Sequence, residues 1–214
     1  MNITIIGASA GVGLETVKRA LQRNHRVTTL ARSALPVTDM ENTANLNALK
    51  GSALNKADLL KATADADAIV IALGTGKSMK PTILYSDFAR LLTETHRETP
   101  FTVPVIVLTG YGAGESGQYV DGFVMRMVFK YLLKEVYVDK TRMEQMIAAS
   151  DMPWMMVRPG LLKDKPLTEQ YRVETELHAG VNIGSIRRAD VADFMVKQAE
   201  NPSHIHQYPA LSNQ

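Results

Sequence analysis

The stretch that decides the fold is ITIIGASAGVGLETVKRAL, residues 3–21. It begins with a nearly continuous apolar run that ends at Gly7, as in a strand covered on both faces. From Gly11 the apolar residues recur at helical spacing. A glycine-rich turn between a strand and a helix lets a pyrophosphate approach the backbone and meet the N–H groups of the helix start. We therefore predict that Gly7, Ser9, Gly11 and Gly13 cradle a dinucleotide; the alternative is a plain turn with incidental glycines.

The rest of the chain alternates strands with helices, which predicts an α/β protein with a Rossmann-like, doubly wound parallel sheet and helices on both faces. We expect one domain over residues 1–214, in which residues 161–187 break the alternation as an insertion that shapes the substrate side. The expected strands are 2–6, 25–31, 46–49, 68–74, 103–110 and 154–160. The expected helices are one that begins at residue 11, then 55–67, 82–98, 122–150 in one or two pieces, and 188–200 with Asp190 as a candidate N-cap.

The composition argues against several functional classes. The 214 residues carry a net charge of +2 and no cysteine, so we expect no nucleic-acid partner, disulfide or thiolate metal site. His204 and His206 would share a strand face but have no third ligand nearby, so no metal site is predicted. No apolar run reaches the length of a membrane span, and Met1 leads straight into a strand without the basic segment of a signal peptide. We expect a cytoplasmic protein, a monomer or weak homodimer, that acts on a small molecule.

The end of the second predicted strand bears on the choice of cofactor. A site that prefers NAD places Asp or Glu about 20 residues after the glycines, where it binds the ribose hydroxyls. This chain has Arg32 and then Ser33 there, and no acid follows until Asp39. A guanidinium matches a 2′-phosphate in charge and in geometry, although it is also common as a solvated surface group. We therefore predict NADP(H) rather than NAD(H).

Two glycine-containing segments follow the next predicted strands. GTGKS, residues 74–78, lacks the first glycine of an ATP-binding phosphate loop, because Ile71 occupies that position in mid-strand. We interpret Gly74, Thr75 and Gly76 as a lining for the middle of the cofactor, with Lys77 as a phosphate or substrate contact. In LTGYGAG, residues 108–114, we expect Thr109 and Tyr111 beside the nicotinamide or substrate, although Tyr111 is equally compatible with a packed loop aromatic.

The tract of residues 122–138 is apolar nearly all round, which favours a core helix. The alternative is a helix with one face on the sheet and the other lining an apolar substrate pocket or a subunit contact.

Six segments in order resemble the NAD(P)H-binding branch of the atypical short-chain dehydrogenases/reductases, and within it the biliverdin and flavin reductases. They are IIGASAGVG, VTTLARS, DADAIVIALGT, RMEQMIAASDMPWMMVRPG, KPLTEQY and RADVADFM. The resemblance implies bound NADPH and hydride transfer to a flat conjugated acceptor, such as a flavin (FMN or FAD), a linear tetrapyrrole such as biliverdin, or a quinone. It aligns with cofactor contacts the residues Gly7, Ser9, Ala10, Gly11, Val12, Arg32, Ser52, Ala53, Leu73, Gly74 and Thr75.

The chain departs from that family at several positions. Ala10 replaces the middle glycine while Gly11 is extra, and Ser52 replaces an acid expected near the adenine. Gly110 stands where the family has a serine whose hydroxyl lies near the nicotinamide.

A further check concerns the Tyr-x-x-x-Lys pair of the wider superfamily, in which the lysine orients the ribose and lowers the pKa of the tyrosine. Lys140 matches the lysine, and we expect it to bind the cofactor ribose. The tyrosine position is Val136, and Tyr137 is one residue away, about 100° around the helix, which predicts that the usual acid is missing. Acceptors with electron-poor conjugated systems depend less on such an acid, and their proton would come from water, from Tyr111 or from the substrate itself. Two alternatives remain: a non-catalytic NADP(H)-binding redox sensor of the NmrA-like kind, and a sugar-nucleotide epimerase or dehydratase.

Overall fold

The computed structural model describes residues 1–36, 40–76, 78, 80–120, 122 and 127–214, with only the backbone of 129 and 130. The strands in this part of the chain are β1 (Asn2–Ile6), β2 (Arg26–Ala31), β3 (Leu46–Lys50), β4 (Ala68–Ile71), β5 (Val105–Leu108), β6 (Trp154–Pro159), β7 (Leu161–Lys163), β8 (Tyr171–Glu174), β9 (Ser185–Arg187) and β10 (Ala210–Asn213). The α-helices are α1 (Gly11–Gln22), α2 (Lys56–Thr63), α3 (Leu84–Glu98), α4 (Lys134–Ala148) and α5 (Arg188–Glu200). A π-helical turn, Phe129–Leu133, leads directly into α4.

The main sheet has the strand order β3-β2-β1-β4-β5-β6-β10-β8, and all of its pairs are parallel except β10 with β8. The chain leaves β1 toward β2 on one side and returns to β4 on the other side. Such a reversal of strand order opens a crevice at the carboxyl ends of the strands, where α/β proteins bind ligands. A separate pair, β7 with β9, lies outside the main sheet.

Helices cover both faces of the sheet, as the sequence predicts. On one face α1 and α5 pack together over an apolar cluster that includes Ile3 and Ile5 of β1. On the other face, α3 and α4 pack together over a second cluster that includes Ile69 and Ile71 of β4. The Rossmann-like fold class is therefore confirmed.

Several expected boundaries differ from the structure. Strands β4 and β5 have four residues each and are shorter than predicted, so residues 72–75 and 109–114 are loops at the carboxyl edge of the sheet. The expected insertion, 161–187, contains β7, β8 and β9, and β8 joins the main sheet through β10, which the sequence did not indicate. The prediction that His204 and His206 share a strand face is wrong, because both lie in the loop before β10.

Asp190 is not the N-cap of α5. The N-cap is Arg187, and Asp190 is buried inside the first turn. Its carboxylate accepts hydrogen bonds from the backbone N–H groups of Thr168 and Glu169, at 2.8 and 2.9 Å, and from the Thr168 hydroxyl at 2.8 Å. Asp190 therefore fastens the segment between β7 and β8 to the start of α5.

Candidate functional site

A cleft of about 610 Å³ lies over the carboxyl edge of the sheet, between the turn after β1 and the loops after β2 to β6. Nearly all the described residues predicted at the cofactor site line it; Gly13 and Ser33 do not, and Tyr111 lines an adjoining cavity instead. The predicted residues in the lining are Gly7, Ser9, Ala10, Gly11, Val12, Arg32, Ser52, Ala53, Leu73, Gly74, Thr75, Gly76, Thr109 and Lys140. Other residues in the lining include Tyr85, Tyr137, Leu162 and Arg188.

The turn after β1 requires glycine at two positions for close packing. A Cβ atom on Gly7, whose φ is +88°, would lie 2.6 Å from the carbonyl oxygen of Ala72. A Cβ atom on Gly13 would lie 2.2 Å from the carbonyl oxygen of Gly7, so Gly13 lets α1 pack directly on the turn rather than facing the cleft. A Cβ atom on Gly11, whose φ is +59°, would meet the Nε atom of Arg188 at an ordinary contact distance of 3.9 Å. This turn brings backbone N–H groups and the start of α1 to the cleft, which is the arrangement that binds phosphate groups.

Arg32 is exposed at one end of the cleft, directly after β2. Beside it, the turn after β3 is held by Asp58 of α2, whose carboxylate accepts a hydrogen bond from the backbone N–H of Ser52 at 2.8 Å. The side chain of Asn55 in turn caps α2 by accepting a hydrogen bond from the N–H of Asp58 at 3.0 Å. Lys77, which the sequence predicted as a phosphate or substrate contact, lies outside the described residues, as does Asp39, the first acid after Arg32.

The middle of the cleft is bounded by the loop after β4 and by Tyr85 in the first turn of α3. Thr75 forms hydrogen bonds with Tyr85 and, through its hydroxyl, donates one to the carbonyl oxygen of Ser78 at 2.8 Å. Burial raises the pKa of the Tyr85 phenol, and the hydrogen bonds with Thr75 oppose that rise. Sequence reasoning missed Tyr85, although its position in the first turn of a predicted helix beside the GTGKS segment was a usable signal.

Lys140 lies at the other end of the cleft. Its ammonium group donates a hydrogen bond to the carbonyl oxygen of Thr109 at 2.6 Å and lies 5.3 and 5.2 Å from the ring centroids of Tyr85 and Tyr137. Burial lowers the pKa of Lys140 to about 8, against an opposing effect of Glu144. A lysine with a pKa near 8 is still mostly cationic at neutral pH and accepts or releases a proton readily.

Tyr137 faces the cleft beside Lys140, although it lies one residue away from the tyrosine position of the superfamily motif. Residues 136 and 140 are about 40° apart around a helix, and residues 137 and 140 are about 60° apart on the other side, so both positions share a face with Lys140. Val136 is buried. Its apolar side chain packs against the sheet, and Tyr137 lies toward the ligand side. Burial, followed by the electrostatic effects of Tyr85 and Glu144, raises the pKa of Tyr137 to about 12.

Gly110 provides the room for Tyr137. A Cβ atom on Gly110 would lie 2.9 Å from the Tyr137 hydroxyl oxygen and 3.6 Å from the Lys140 ammonium nitrogen. The phenol therefore occupies the space that a side chain at residue 110 would need. The replacement of a serine by Gly110, seen in the sequence as the loss of a hydroxyl, is accompanied here by a tyrosine hydroxyl in the same place.

A second cavity of about 550 Å³ adjoins the cleft. The two share Thr109, Leu133, Tyr137, Lys140, Pro159, Leu162 and Arg188. Apolar side chains line the second cavity further out, among them Val120, Leu161, Val181 and Ile183. Of the apolar tract 122–138, residues 123–126 lie outside the described part of the chain, while Leu133 lines both cavities and Tyr131 and Leu132 are exposed.

The loop that bounds the second cavity is tied to the protein core. The Tyr111 hydroxyl donates a hydrogen bond to the carbonyl oxygen of Tyr119 at 2.8 Å, and both rings line the cavity. Below the loop, the guanidinium of Arg158, which has no solvent exposure, pairs with Glu144 at 2.7 Å and with Glu115. Burial acts to lower the pKa of Arg158, but its hydrogen bonds with both carboxylates outweigh burial and raise it. Arg158 thus holds the loop in place from below, a role with no recognisable sequence signal.

The described residues contain no helix that is both long enough and apolar enough to span a bilayer. They also contain no group of three or more His, Cys, Asp or Glu side chains arranged to hold a metal ion.

Residues 7–202 match the family described as NAD(P)H-binding. This match covers most of the chain, which therefore belongs to that family. The cleft fits the cofactor that the description names: an exposed arginine, a glycine turn that side chains would block, and a lysine beside a tyrosine follow one another along it. This is the order in which an extended dinucleotide presents its adenosine, pyrophosphate and nicotinamide.

Solved structures of similar proteins share the fold at low sequence identity. ChuY, an anaerobillin reductase from Escherichia coli O157:H7, is 21% identical with a TM-score of 0.79, over 100% of this chain and 97% of that one. A proposed NADH-flavin reductase from Streptococcus pneumoniae TIGR4 is 21% identical with a TM-score of 0.77, over 100% of both chains. A proposed NAD-dependent epimerase/dehydratase from Bacillus halodurans is 20% identical with a TM-score of 0.77, over 100% of this chain and 94% of that one.

Proposed function

We propose that this member of the NAD(P)H-binding family is an NADPH-dependent reductase that transfers hydride to a flat conjugated acceptor. The observation that carries the proposal is the apolar second cavity, which opens onto the cofactor cleft at Thr109, Tyr137 and Lys140. A planar acceptor in that cavity would have its edge beside the end of the cleft assigned to the nicotinamide. Acceptors of this kind include flavins such as FMN or FAD, linear tetrapyrroles and quinones.

In this proposal the cofactor end of the site has separate tasks. The backbone at Gly7, Ser9 and Gly11 binds the pyrophosphate, and Gly13 allows α1 to approach it. Arg32 binds the 2′-phosphate, because a guanidinium offers paired donors to a phosphate. Bound NADPH supplies the hydride.

At the acceptor end, the Tyr137 phenol donates a hydrogen bond and then a proton to the atom of the acceptor that gains negative charge. Its pKa of about 12 keeps it protonated at neutral pH, which is the form a donor needs. Lys140 fixes the carbonyl of Thr109 and, through its ammonium group, the ribose of the cofactor. Tyr111 orients the loop through its bond to Tyr119.

Two comparisons support this proposal at the level of chemistry, since ChuY is named an anaerobillin reductase and the S. pneumoniae protein is described as a proposed NADH-flavin reductase. The apolar lining of the second cavity favours these acceptors over a nucleotide sugar, whose hydroxyl groups need many polar partners. A cytoplasmic location and a monomeric or weakly dimeric state remain predictions of the sequence.

The direct test measures NADPH and NADH consumption with a panel of flavins, quinones and biliverdin. We expect turnover with NADPH and at least one panel member. Tight NADPH binding without any turnover would favour the redox-sensor alternative instead.

The assignment of Arg32 is tested by cofactor binding. We expect Arg32→Ala to weaken NADPH binding about tenfold to a hundredfold, the range for a hydrogen-bonded ion pair, and to leave NADH binding unchanged. Arg26→Ala removes an exposed arginine from the opposite end of the same strand and serves as the matched control. Equal NADPH affinity in the two variants would rule out the Arg32 assignment.

A further inference from the structure

We propose that the second cavity takes an aromatic acceptor that carries an acidic group, and that Arg188 binds this group. The role of this ligand as a hydride acceptor rests on the proposed function, while its chemistry is inferred from the cavity itself. The apolar rings of the ligand would pack against the apolar side chains of the cavity. A carboxylate, sulfonate or phosphate attached to the rings would bind the Arg188 guanidinium.

The charges around the second cavity have one sign. Its lining contains two cationic side chains, Lys140 and Arg188, and no carboxylate among the described residues that line it. The remaining side chains are mostly apolar or aromatic. Apolar surroundings strengthen electrostatic attraction. A purely apolar ligand would add no anion to the partners that these cations already have, the Thr109 carbonyl for Lys140 and the exposed Asp164 for Arg188.

Arg188 is placed to serve both cavities. It is the first residue of α5, directly after β9, and it belongs to the lining of the cleft and of the second cavity. One nitrogen, Nη1, donates a hydrogen bond to Asp164 at 2.6 Å, but the Asp164 side chain is 87% exposed. An ion pair with so exposed a partner is weak, and the guanidinium has further donors for an incoming anion.

The guanidinium of Arg188 has two alternative partners: the acidic group of the proposed acceptor and the pyrophosphate of a bound cofactor. The Nε atom of Arg188 is 3.9 Å from the place of a Cβ atom on Gly11, in the phosphate turn. The turn and the start of α1 already offer N–H donors to the pyrophosphate, whereas Arg188 and Lys140 are the cations of the second cavity. We therefore assign Arg188 to the acceptor.

Two fluorescent dyes of nearly the same shape test this assignment without turnover. 8-Anilinonaphthalene-1-sulfonate carries a sulfonate, and N-phenyl-1-naphthylamine is its uncharged parent. Each is titrated into the full-length protein with saturating NADP⁺, which fills the cofactor cleft, and its fluorescence gives the Kd. We expect the sulfonate dye to bind about tenfold or more tightly than its parent, the advantage of a charge-assisted hydrogen bond.

Three variants separate Arg188 from general surface charge. Arg188→Gln should remove the preference for the sulfonate dye and leave the affinity for the uncharged dye unchanged. Asp164→Asn should strengthen sulfonate binding, because it frees the guanidinium. Arg90→Gln, which removes an exposed arginine of α3 that pairs with nearby Asp87, should change neither affinity.

The proposal is overturned by an unchanged dye preference in Arg188→Gln, or by failure of both dyes to bind. A loss of NADP⁺ affinity in Arg188→Gln with the dye preference intact would overturn it too and assign Arg188 to the pyrophosphate. None of these readings depends on catalysis, so a protein without reductase activity would contradict the proposed function while leaving the anion site to be judged on the dyes alone.

Discussion

The Tyr137 side chain occupies its place in the cleft because Gly110 has no side chain. The phenol hydroxyl lies 2.9 Å from the place of a Cβ atom on Gly110, and the φ of Gly110 is +154°, where L side chains are strained. We expect Gly110→Ala to lower the free energy of unfolding by about 1–3 kcal/mol, from strain and overpacking, and to lower kcat by displacing the phenol. Urea denaturation and steady-state kinetics measure the two effects.

The matched control is Gly180→Ala, because Gly180 also has a positive φ, +87°, but open space around it. In a Tyr137→Phe background the atom nearest to the new Cβ atom is gone, so Gly110→Ala should cost less there than in the native protein. A double-mutant cycle gives the coupling energy directly. Purely additive effects would mean that Gly110 and Tyr137 do not share this space.

The lowered pKa of Lys140 predicts that catalysis and stability depend on pH in opposite directions. Burial lowers its pKa to about 8, from an ordinary value of 10.5. If the cationic form binds the cofactor, kcat/KM falls as the pH rises through about 8, because this parameter reports the free protein. Between about 8 and 10.5 the unfolded chain binds more protons at this residue than the folded one, so the contribution of Lys140 to stability rises with pH.

Comparison with Lys140→Met isolates both effects, since other groups titrate equally in the two proteins. The variant should lose the inflection in kcat/KM near pH 8, and its unfolding free energy should rise less between pH 7.5 and 9.5 than that of the native protein. An inflection that persists in Lys140→Met would assign it to another group.

At the scale of whole elements, Asp139 joins α4 to the start of α3. The N-cap residue of α3, Ile83, has no side chain able to accept a hydrogen bond. The buried carboxylate of Asp139 caps the helix in place of an N-cap side chain. It accepts hydrogen bonds from the N–H groups of Tyr85 and Ser86, at 2.9 and 3.3 Å, and from the Ser86 hydroxyl at 2.5 Å. One carboxylate of α4 therefore fixes the helix that carries Tyr85 into the cleft.

We expect Asp139→Ala to lower the free energy of unfolding by about 2–4 kcal/mol, because several buried donors lose their acceptor at once. Asp87→Ala is the control: it removes a carboxylate of the same first turn of α3 that pairs with exposed Arg90, and it should cost less than about 1 kcal/mol. Chemical denaturation of both variants checks the difference. Similar costs would show that the cap contributes little.

The elements differ in how far the sequence predicted them, for physical reasons. Strand β1 and helix α1 were predicted because each has its own apolar period and a glycine turn between them. Strands β7 to β10 have three or four residues each, and their pairing depends on partners distant in the chain, so no local pattern predicted them. Aspartate is common at helix N-caps, but the Asp190 carboxylate instead accepts hydrogen bonds from a loop about 20 residues earlier in the chain. Only the fold reveals this contact.

The same distinction holds for the two cavities. The cofactor cleft follows from strand order, because a reversal at β1 and β4 separates neighbouring loops, and most of the residues predicted to contact the cofactor therefore lie in it. The second cavity brings together residues from 109–120, 133–140, 159–162 and 181–188. The sequence predicted that the insertion 161–187 shapes the substrate side, but no local pattern shows that these four segments enclose one cavity. Tyr137 was not predicted as a neighbour of Lys140 because the motif places its tyrosine four residues before the lysine. A residue three positions before the lysine lies on the same helix face.

On the scale of the whole molecule, the two apolar clusters lie on opposite faces of one sheet and use alternate residues of the same strands, such as Ile5 and Ile6 of β1. Neither face can lose its packing without exposing the other side of those strands. We therefore expect one thermal unfolding transition, as predicted for a single domain over residues 1–214. NADP⁺ at a hundred times its Kd should stabilise the fold by about 2.7 kcal/mol and raise Tm by roughly 5–10 °C.

Differential scanning calorimetry with and without NADP⁺ measures both quantities, and Arg32→Ala is the reference in which a fixed NADP⁺ concentration should raise Tm less. Two transitions, of which only one moves with NADP⁺, would contradict the single domain. The separate unit would then be the edge formed by β8 and β10, because the ladder between β10 and β6 is short, with Ala210 paired to Arg158 and Leu211 to Pro159. Since Arg158 also anchors the loop over the second cavity, loss of that edge would disturb the second cavity before the cofactor cleft.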